Sequence, residues 1–585
     1  MEVGDKMIHI RDPLQKSLFQ EEIEQGTSVL SPPAARRVRK DWPGLFRTMI
    51  LCLMPVGKLA KNFDPTFGCP TKELYAMAGA VFLKGFFNLT IDETVEQYLY
   101  NMQWHYALNL LPWEAGLGHA TVERYEKLFA ENDIAAEVFH KVTSKLIEVL
   151  ELDVSRQRLD STHVFSDMAT FGRSKLMAVT IKRFLTQLKR HHRALYDALS
   201  EELRSRYAPS QAKLFADFSG GRQQLRQEVA EDLLSLVNQF GDDEAVTNRP
   251  SFQAMRRVLD EQCTVTEDKT AVEVKTNTGS DVMQNPSDPD ATYDGHKGPG
   301  YQAQIAETCA AENDVQLITA VDSEPAHKSD QDAVEPMLDQ LAAGDRLPET
   351  LHADGGYGRD ENVVEAERRG VDLQSPVTDS PQQGSLTVDD FAIDEAAETV
   401  ERCPNGCVPE SSEHDVEKGR TRTVMSESDC SSCAFASQCP VQRVGGRRVL
   451  DHTPRQRRLA ARRAEQATEV FQEHYRSRAG IESTNGGLKR RTGMGRLRTR
   501  GSPRVRMSIL LRCGGWNVFR ALAALKKRGI RDFEALAAAF RRLSHPFRLR
   551  QAPRLAPAAL LATSPPIFTR FRQPRLSGAA QDFRF

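Results

Sequence analysis

The chain has no run of about 18 uncharged apolar residues, the length at which a segment reads as a membrane-spanning helix. Its most apolar stretches, LFRTMILCLMPVG near the start and LYAMAGAVFLKGFF at 74–87, are short or interrupted by charge. The N-terminal MEVGDKMIHIRD has no apolar segment of the secretory kind. A soluble, cytoplasmic protein without a membrane partner is therefore expected. Cysteine is sparse too. Ten in 585 residues do not make a dense disulfide framework, and in a reducing compartment a cluster of them suits metal better. No internal repeat is apparent, and the 40% apolar content is enough for ordinary cores in a chain long enough for about four domains.

Net charge is also close to absent, at -2, but the balance hides an asymmetry. Residues 441–585 carry 33 Lys and Arg against 8 Asp and Glu, which leaves 45 against 72 for residues 1–440. A basic C-terminal quarter of this kind points to a polyanion such as nucleic acid, or to a solvated surface or tail. A second basic cluster, Lys182 to Arg193, is followed directly by acids and reads equally well as a solvated helix face.

Periodicity divides the rest. Residues 71–150 carry apolar positions at helical spacing, broken at Pro112 and Gly116. RLDSTHV is β-like, and roughly Ser174 to Phe240 is helical and charge-rich. Between Pro286 and Val377 strands alternate with helices, which predicts an α/β sheet. Entered from RLDSTHV, the order is strand, strand, strand, helix, strand, helix, strand. A long helix is expected from about Arg455 into the basic region, and the Pro- and Arg-rich sequence beyond about Leu543 reads as poorly ordered.

Within the basic quarter, YRSRAGIESTNGGLKRRTGMGRLRTRG (475–501) holds eight Lys or Arg and one acid, Glu482. Tyr475, Arg478, Glu482 and Lys489 fall within an arc of roughly 60° on a continuous helix, although Gly486 and Gly487 threaten that continuity. A charged, solvated helix face has the same pattern. This spacing resembles the Tyr-Arg-Glu-Lys signature of bacterial insertion-sequence transposases of the DDE class. Asp160 in LDSTHV and Asp354 in LHADGGYG resemble the two aspartate motifs of that family, in the family's order. TKELYAMAGAVFLKGFFNLTIDETVEQYLY and DPDATYDGHKGPGYQAQIAET resemble further blocks of it.

The resemblance implies an RNase H-like α/β core with a helical insertion, a Cys-rich insertion and an all-helical N-terminal domain. It implies that Asp160, Asp354 and Glu482 are catalytic and hold Mg2+ (or Mn2+), and that the chain cuts double-stranded DNA at inverted-repeat ends and joins the 3'-OH ends to target DNA. Tyr475, Arg478, Lys489, Arg490 and Arg491 would contact that DNA. Turn or capping roles account for each aspartate equally simply when it is taken alone. His163, three positions after Asp160, faces the other side of a strand and reads as a buried, hydrogen-bonded histidine.

Cys403, Cys407, Cys430, Cys433 and Cys439 have spacings that resemble a structural zinc site, with free or redox-labile thiols as the other reading. The expected organisation is an N-terminal segment (1–40), a helical domain for DNA-end recognition or dimerisation (41–150), the first core strand region (151–173), a helical insertion (174–280), the core with Asp354 (281–379), the Cys-rich insertion (380–440), the core helix with Glu482 and a basic DNA-binding region (441–525), and a basic, partly disordered tail (526–585). A homodimer or larger assembly on DNA, associated with the bacterial nucleoid, would follow. A transposase-derived DNA-binding regulator and a metal-dependent nuclease without strand transfer remain the alternatives.

Overall fold

RQRLDSTHV becomes the central strand, β1 (Arg156–Val164), buried along most of its length and paired on both edges. The structure is a computed structural model, and it describes residues 7–13, 30–110, 114–215, 220–377, 385–394 and 397–543, with the side chains of 541–543 excepted. On one edge of β1 lies β2 (Gly298–Thr308), antiparallel, and β2 pairs in turn with antiparallel β3 (Ile318–Pro325). On the other edge lie two short parallel strands, β4 (Thr350–His352) and β5 (Asp372–Gln374). The order across the sheet is thus β3-β2-β1-β4-β5, with the short strand Thr292–Asp294 added to the start of β2.

The parallel half needs crossovers, and helices Val334–Ala343 and Asp360–Arg368 supply them. Their apolar sides and the sheet share one core, which includes Leu159, Ala306, Met337, Leu338, Leu351 and Tyr357. The predicted succession of strands and helices is the one observed.

Between β1 and β2 the chain forms helices, Arg173–His191, Arg222–Phe240 and Pro250–Gln262 among them, and then a small hairpin, Cys263–Val265 with Val272–Val274. These have a core of their own around Phe184, Leu233 and Met255. The Lys182 to Arg193 cluster is partly committed there. Lys182 caps the carbonyls of Tyr207, Ala208 and Pro209, and Arg193 pairs with Asp197.

Before β1, the helices Leu74–Phe87 and Ile134–Leu150 pack on a long C-terminal helix, and Asn517 of that helix bonds both Thr143 and the backbone of Ile318 in β3. The helical N-terminal region expected to stand apart therefore belongs to one compact unit with the sheet, which extends to Glu534. A second unit begins at Ala535, within the helix Phe533–Leu543, and only its residues 535–543 are described. The disordered tail expected at the C-terminus otherwise lies outside the described residues.

The cysteine-bearing segment contributes two strands, Ser411–Asp415 and Arg420–Met425, to a four-stranded antiparallel sheet whose other strands, Gln442–Val444 and Arg447–His452, lie beyond the 380–440 bounds expected for that insertion. One expectation needs correction. The single long helix expected from Arg455 is instead three helices with a 3-10 turn between the last two: Pro454–Gln466, Glu469–Tyr475, the turn Arg476–Ala479, and α1 (Gly480–Thr492). Thr468 makes the first break, because its hydroxyl accepts from the Phe471 N–H as an N-cap. α1 runs unbroken through Gly486 and Gly487 and is followed by α2 (Ser502–Lys527).

Candidate active site

Parallel pairing brings the two aspartates together. Arg158 of β1 sits in register with His352 of β4, so two residues further along each strand come Asp160 and Asp354. Asp160 is still within β1, whereas Asp354 opens a 3-10 turn and accepts the Gly356 N–H at 2.8 Å. The turn role read for Asp354 is therefore real, and it holds the carboxylate at the end of β4.

Glu482 arrives from α1, and a buried polar network fixes that helix against the sheet. Arg158 and Glu307 stand directly opposite on β1 and β2. The guanidinium donates to Glu307 Oε2 at 3.0 and 2.8 Å and to the carbonyl of Ser477 at 2.6 Å. The other oxygen of Glu307 accepts the Thr484 hydroxyl at 2.7 Å. Glu307 is fully buried, so each of these bonds offsets a large desolvation cost. Gly480 is required at this junction: a Cβ there would stand 1.9 Å from Arg158 Nη1.

The three carboxylates meet on a single cation. Arg478 lies 3.2 Å from Asp160 and 3.4 Å from Asp354 through Nη2, and 3.4 Å from Glu482 through Nη1. Exposure grades across the site, from 13% for the Asp160 side chain through 38% for Asp354 to 68% for Glu482. Burial pushes the Asp160 pKa up to about 6, against the pull of Arg478, while Asp354 and Asp330 push the same way as burial. Among the described residues, no three His, Cys, Asp or Glu side chains stand ready to hold one ion. Arg478 takes the central place in this cluster.

Of the other residues singled out in the sequence, Tyr475 donates to the carbonyl of Ala353 at 3.1 Å and stacks on Phe471, so it supports the Asp354 turn. Lys489 acts electrostatically on Asp160; partial burial and Lys297 lower its own pKa. Arg490 and Arg491 are exposed on a different side of α1. His163 is buried, with Nε2 3.3 Å from the carbonyl of Pro299 and its ring edge-on to Phe165.

Several contributors were not singled out. Asn485 donates to Asp160 Oδ2 at 3.2 Å, one helical turn from Glu482, and its place in ESTN was the available signal. Behind Asp354, Gln304 receives the Tyr357 hydroxyl at 2.6 Å and donates to Asp330 and Glu324 at 3.0 and 2.8 Å. Arg158 and Glu307 carry no motif, and only strand register pairs them.

Cys403, Cys407, Cys430, Cys433 and Cys439 line one cavity, and all five are free thiols. The Phe435 N–H points at the sulfur of Cys433, 3.4 Å away. Among the described residues, these side chains do not converge on a single ion position.

The α/β sheet thus carries two acidic side chains at adjacent strand ends, and a helix supplies a third acid beside them. Residues 402–522 match the family model for a transposase DDE domain, a span that includes the Cys-rich sheet, α1 and Glu482 but neither Asp160 nor Asp354. The match supports a DDE transposase, an enzyme with DNA as its partner. Comparison with curated proteins and with solved structures gave no match. Among the described residues no helix is long and apolar enough to cross a membrane.

Proposed function

We propose that the protein is a DDE transposase that cuts double-stranded DNA at the inverted-repeat ends of an insertion sequence and transfers the 3'-OH ends to target DNA. The observation that carries this is the convergence of Asp160, Asp354 and Glu482, from three distant parts of the chain, on one guanidinium. The strand order β3-β2-β1-β4-β5, antiparallel on one side of β1 and parallel on the other, supports an RNase H-like core for the catalytic unit.

Three carboxylates offer the hard oxygen donors that Mg2+ or Mn2+ prefers, so Asp160, Asp354 and Glu482 would hold the divalent ions. When bound, such ions supply charge stabilisation to the attacking and leaving oxygens of an in-line displacement. The chain's own groups do the rest. Arg478 would offer a phosphate a planar fork, and Lys489 would add a point charge. Tyr475 keeps the Asp354 turn in place, and Arg490, Arg491 and the basic sequence around them give salt-dependent affinity for the DNA backbone. The N-terminal helices serve end recognition or the dimer that two DNA ends require.

The test is cleavage of a duplex that carries the element's own end. Asp160→Ala, Asp354→Ala and Glu482→Ala should each abolish Mg2+-dependent cutting and leave duplex binding largely intact. Full activity in any one of them contradicts the assignment. A nuclease without strand transfer would cut but never join the freed 3'-OH to a second duplex. The cysteine cavity supports a structural zinc, which would need the thiols to turn inward; metal analysis of the purified chain should find about one zinc per molecule, with four thiolates sufficient to hold it.

A further inference from the structure

On the flank of α1, turned away from Glu482, is a cavity of about 250 Å³ whose polar lining consists almost entirely of hydrogen-bond donors. Arg490 and Arg491 of α1 and Arg520 and Trp516 of α2 form its walls, with Arg158 at one side, and no Asp or Glu reaches it. Arg158 is already committed to Glu307 and Ser477. The other three guanidinium groups have no ion-pair partner among the described residues. Two of the residues that line it also carry a donor that is buried and bonds to nothing, Trp516 Nε1 and Arg520 Nε.

Three unpaired cations in one recess repel one another, and buried donors without partners cost free energy. Both costs end if an anion with several acceptor oxygens enters. Gly487 makes the recess possible, because it lets the indole of Trp516 lie against α1: a Cβ there would stand 2.4 Å from the ring. At 100° per residue, Arg490, Arg491 and Gly487 sit roughly 80° to 180° round α1 from Glu482. The phosphate that fits here is therefore not the one at the acidic cluster.

We infer that this cavity binds a backbone phosphate of duplex DNA away from the cleaved bond, with Arg490, Arg491 and Arg520 supplying charge and the Trp516 N–H a directional donor. The site anchors the duplex on the helix that carries Glu482, so that seating the DNA and placing that carboxylate are coupled through one rigid element. This rests on the DNA-binding reading above.

The test is the affinity of the full chain for a short labelled duplex, measured against salt concentration. Arg520→Gln should weaken binding and reduce the slope of log affinity against log salt by about one, the effect of one lost phosphate contact. Trp516→Phe keeps the ring and removes only its donor; it should weaken binding about tenfold with the slope unchanged. Arg520→Lys, which keeps the charge, should restore the slope. If the wild type binds duplex and both Arg520→Gln and Trp516→Phe match it in affinity and slope, the cavity is not a phosphate site and the transposase reading stands. If Arg520→Gln fails to fold, Trp516→Phe decides alone. If the wild type binds no duplex at any salt concentration, both readings fall.

Discussion

Arg478 Nη2 stands 3.2 Å from Asp160 Oδ1, a contact between residues 318 positions apart in the chain. The same guanidinium reaches Asp354 and Glu482, so one cation holds together three groups that would otherwise repel.

Arg478→Gln should therefore destabilise the fold by about 1–3 kcal/mol in the absence of divalent ions, the usual range for losing hydrogen bonds to a charged group. Added Mg2+ should restore part of that loss, because ions bound by the carboxylates do the same electrostatic work. Urea unfolding with and without Mg2+ measures both effects. Equal stabilisation of variant and wild type by Mg2+ would place the ions somewhere other than Arg478's position.

Arg158→Met leaves Glu307 fully buried without its partner. Breaking a buried pair in this way costs about 3–5 kcal/mol, whereas replacing both partners with apolar groups is often close to neutral. The double variant Arg158→Met with Glu307→Leu should thus be more stable than Arg158→Met alone, as read from denaturant midpoints. An additive loss would mean that the two residues do not act as a pair.

The adjacent glycines of α1 should respond in opposite directions. A Cβ at Gly486 meets only the flexible tip of Arg490, at 3.1 Å, so Gly486→Ala should gain about 0.5–1 kcal/mol of helix propensity. A Cβ at Gly487 meets the rigid Trp516 ring, so Gly487→Ala should lose about 1–3 kcal/mol through overpacking. Melting temperatures of the two variants should fall on opposite sides of the wild type.

His452 ends the last strand of the Cys-rich sheet, with 1% of its surface exposed and neither ring nitrogen bonded. Burial, then Arg457, lowers its pKa below the usual histidine value. The neutral ring is the folded form, so its contribution is fully present above about pH 6.5 and is lost as pH falls through the lowered value. His452→Leu should flatten the decline of stability with acid relative to the wild type. Parallel declines would show that His452 does not titrate on unfolding.

Much of this molecule is legible in its sequence because local chemistry dictates it. Alternation and turn residues place RLDSTHV, YQAQIAETC and VQLITAVDS in strands, and Glu482 and Lys489 share α1, which runs through Gly486 and Gly487, whereas Tyr475 and Arg478 lie before it in a separate helix and the 3-10 turn. The break at Thr468 was also written locally, in a hydroxyl followed three positions later by the N–H it caps, but a continuous charged pattern masked it. The Cys-rich sheet was not legible: two of its strands are largely exposed, and several buried positions of the other two are polar, Thr421, Thr423 and His452 among them, so they carry little apolar period.

The sequence by itself singled out Asp160, Asp354 and Glu482 as candidates, through the motifs they resemble. Tertiary structure alone decided how they meet. Register between β1 and β4 sets Asp160 beside Asp354, the Arg158–Glu307–Thr484 network lays α1 over them, and Arg478 ends at their centre. Those contacts span more than a hundred residues and depend on strand pairing and burial, neither of which leaves a local pattern. The arginine-lined cavity beside Trp516 is the clearest case: it exists because two helices cross at a glycine, and no motif announces it.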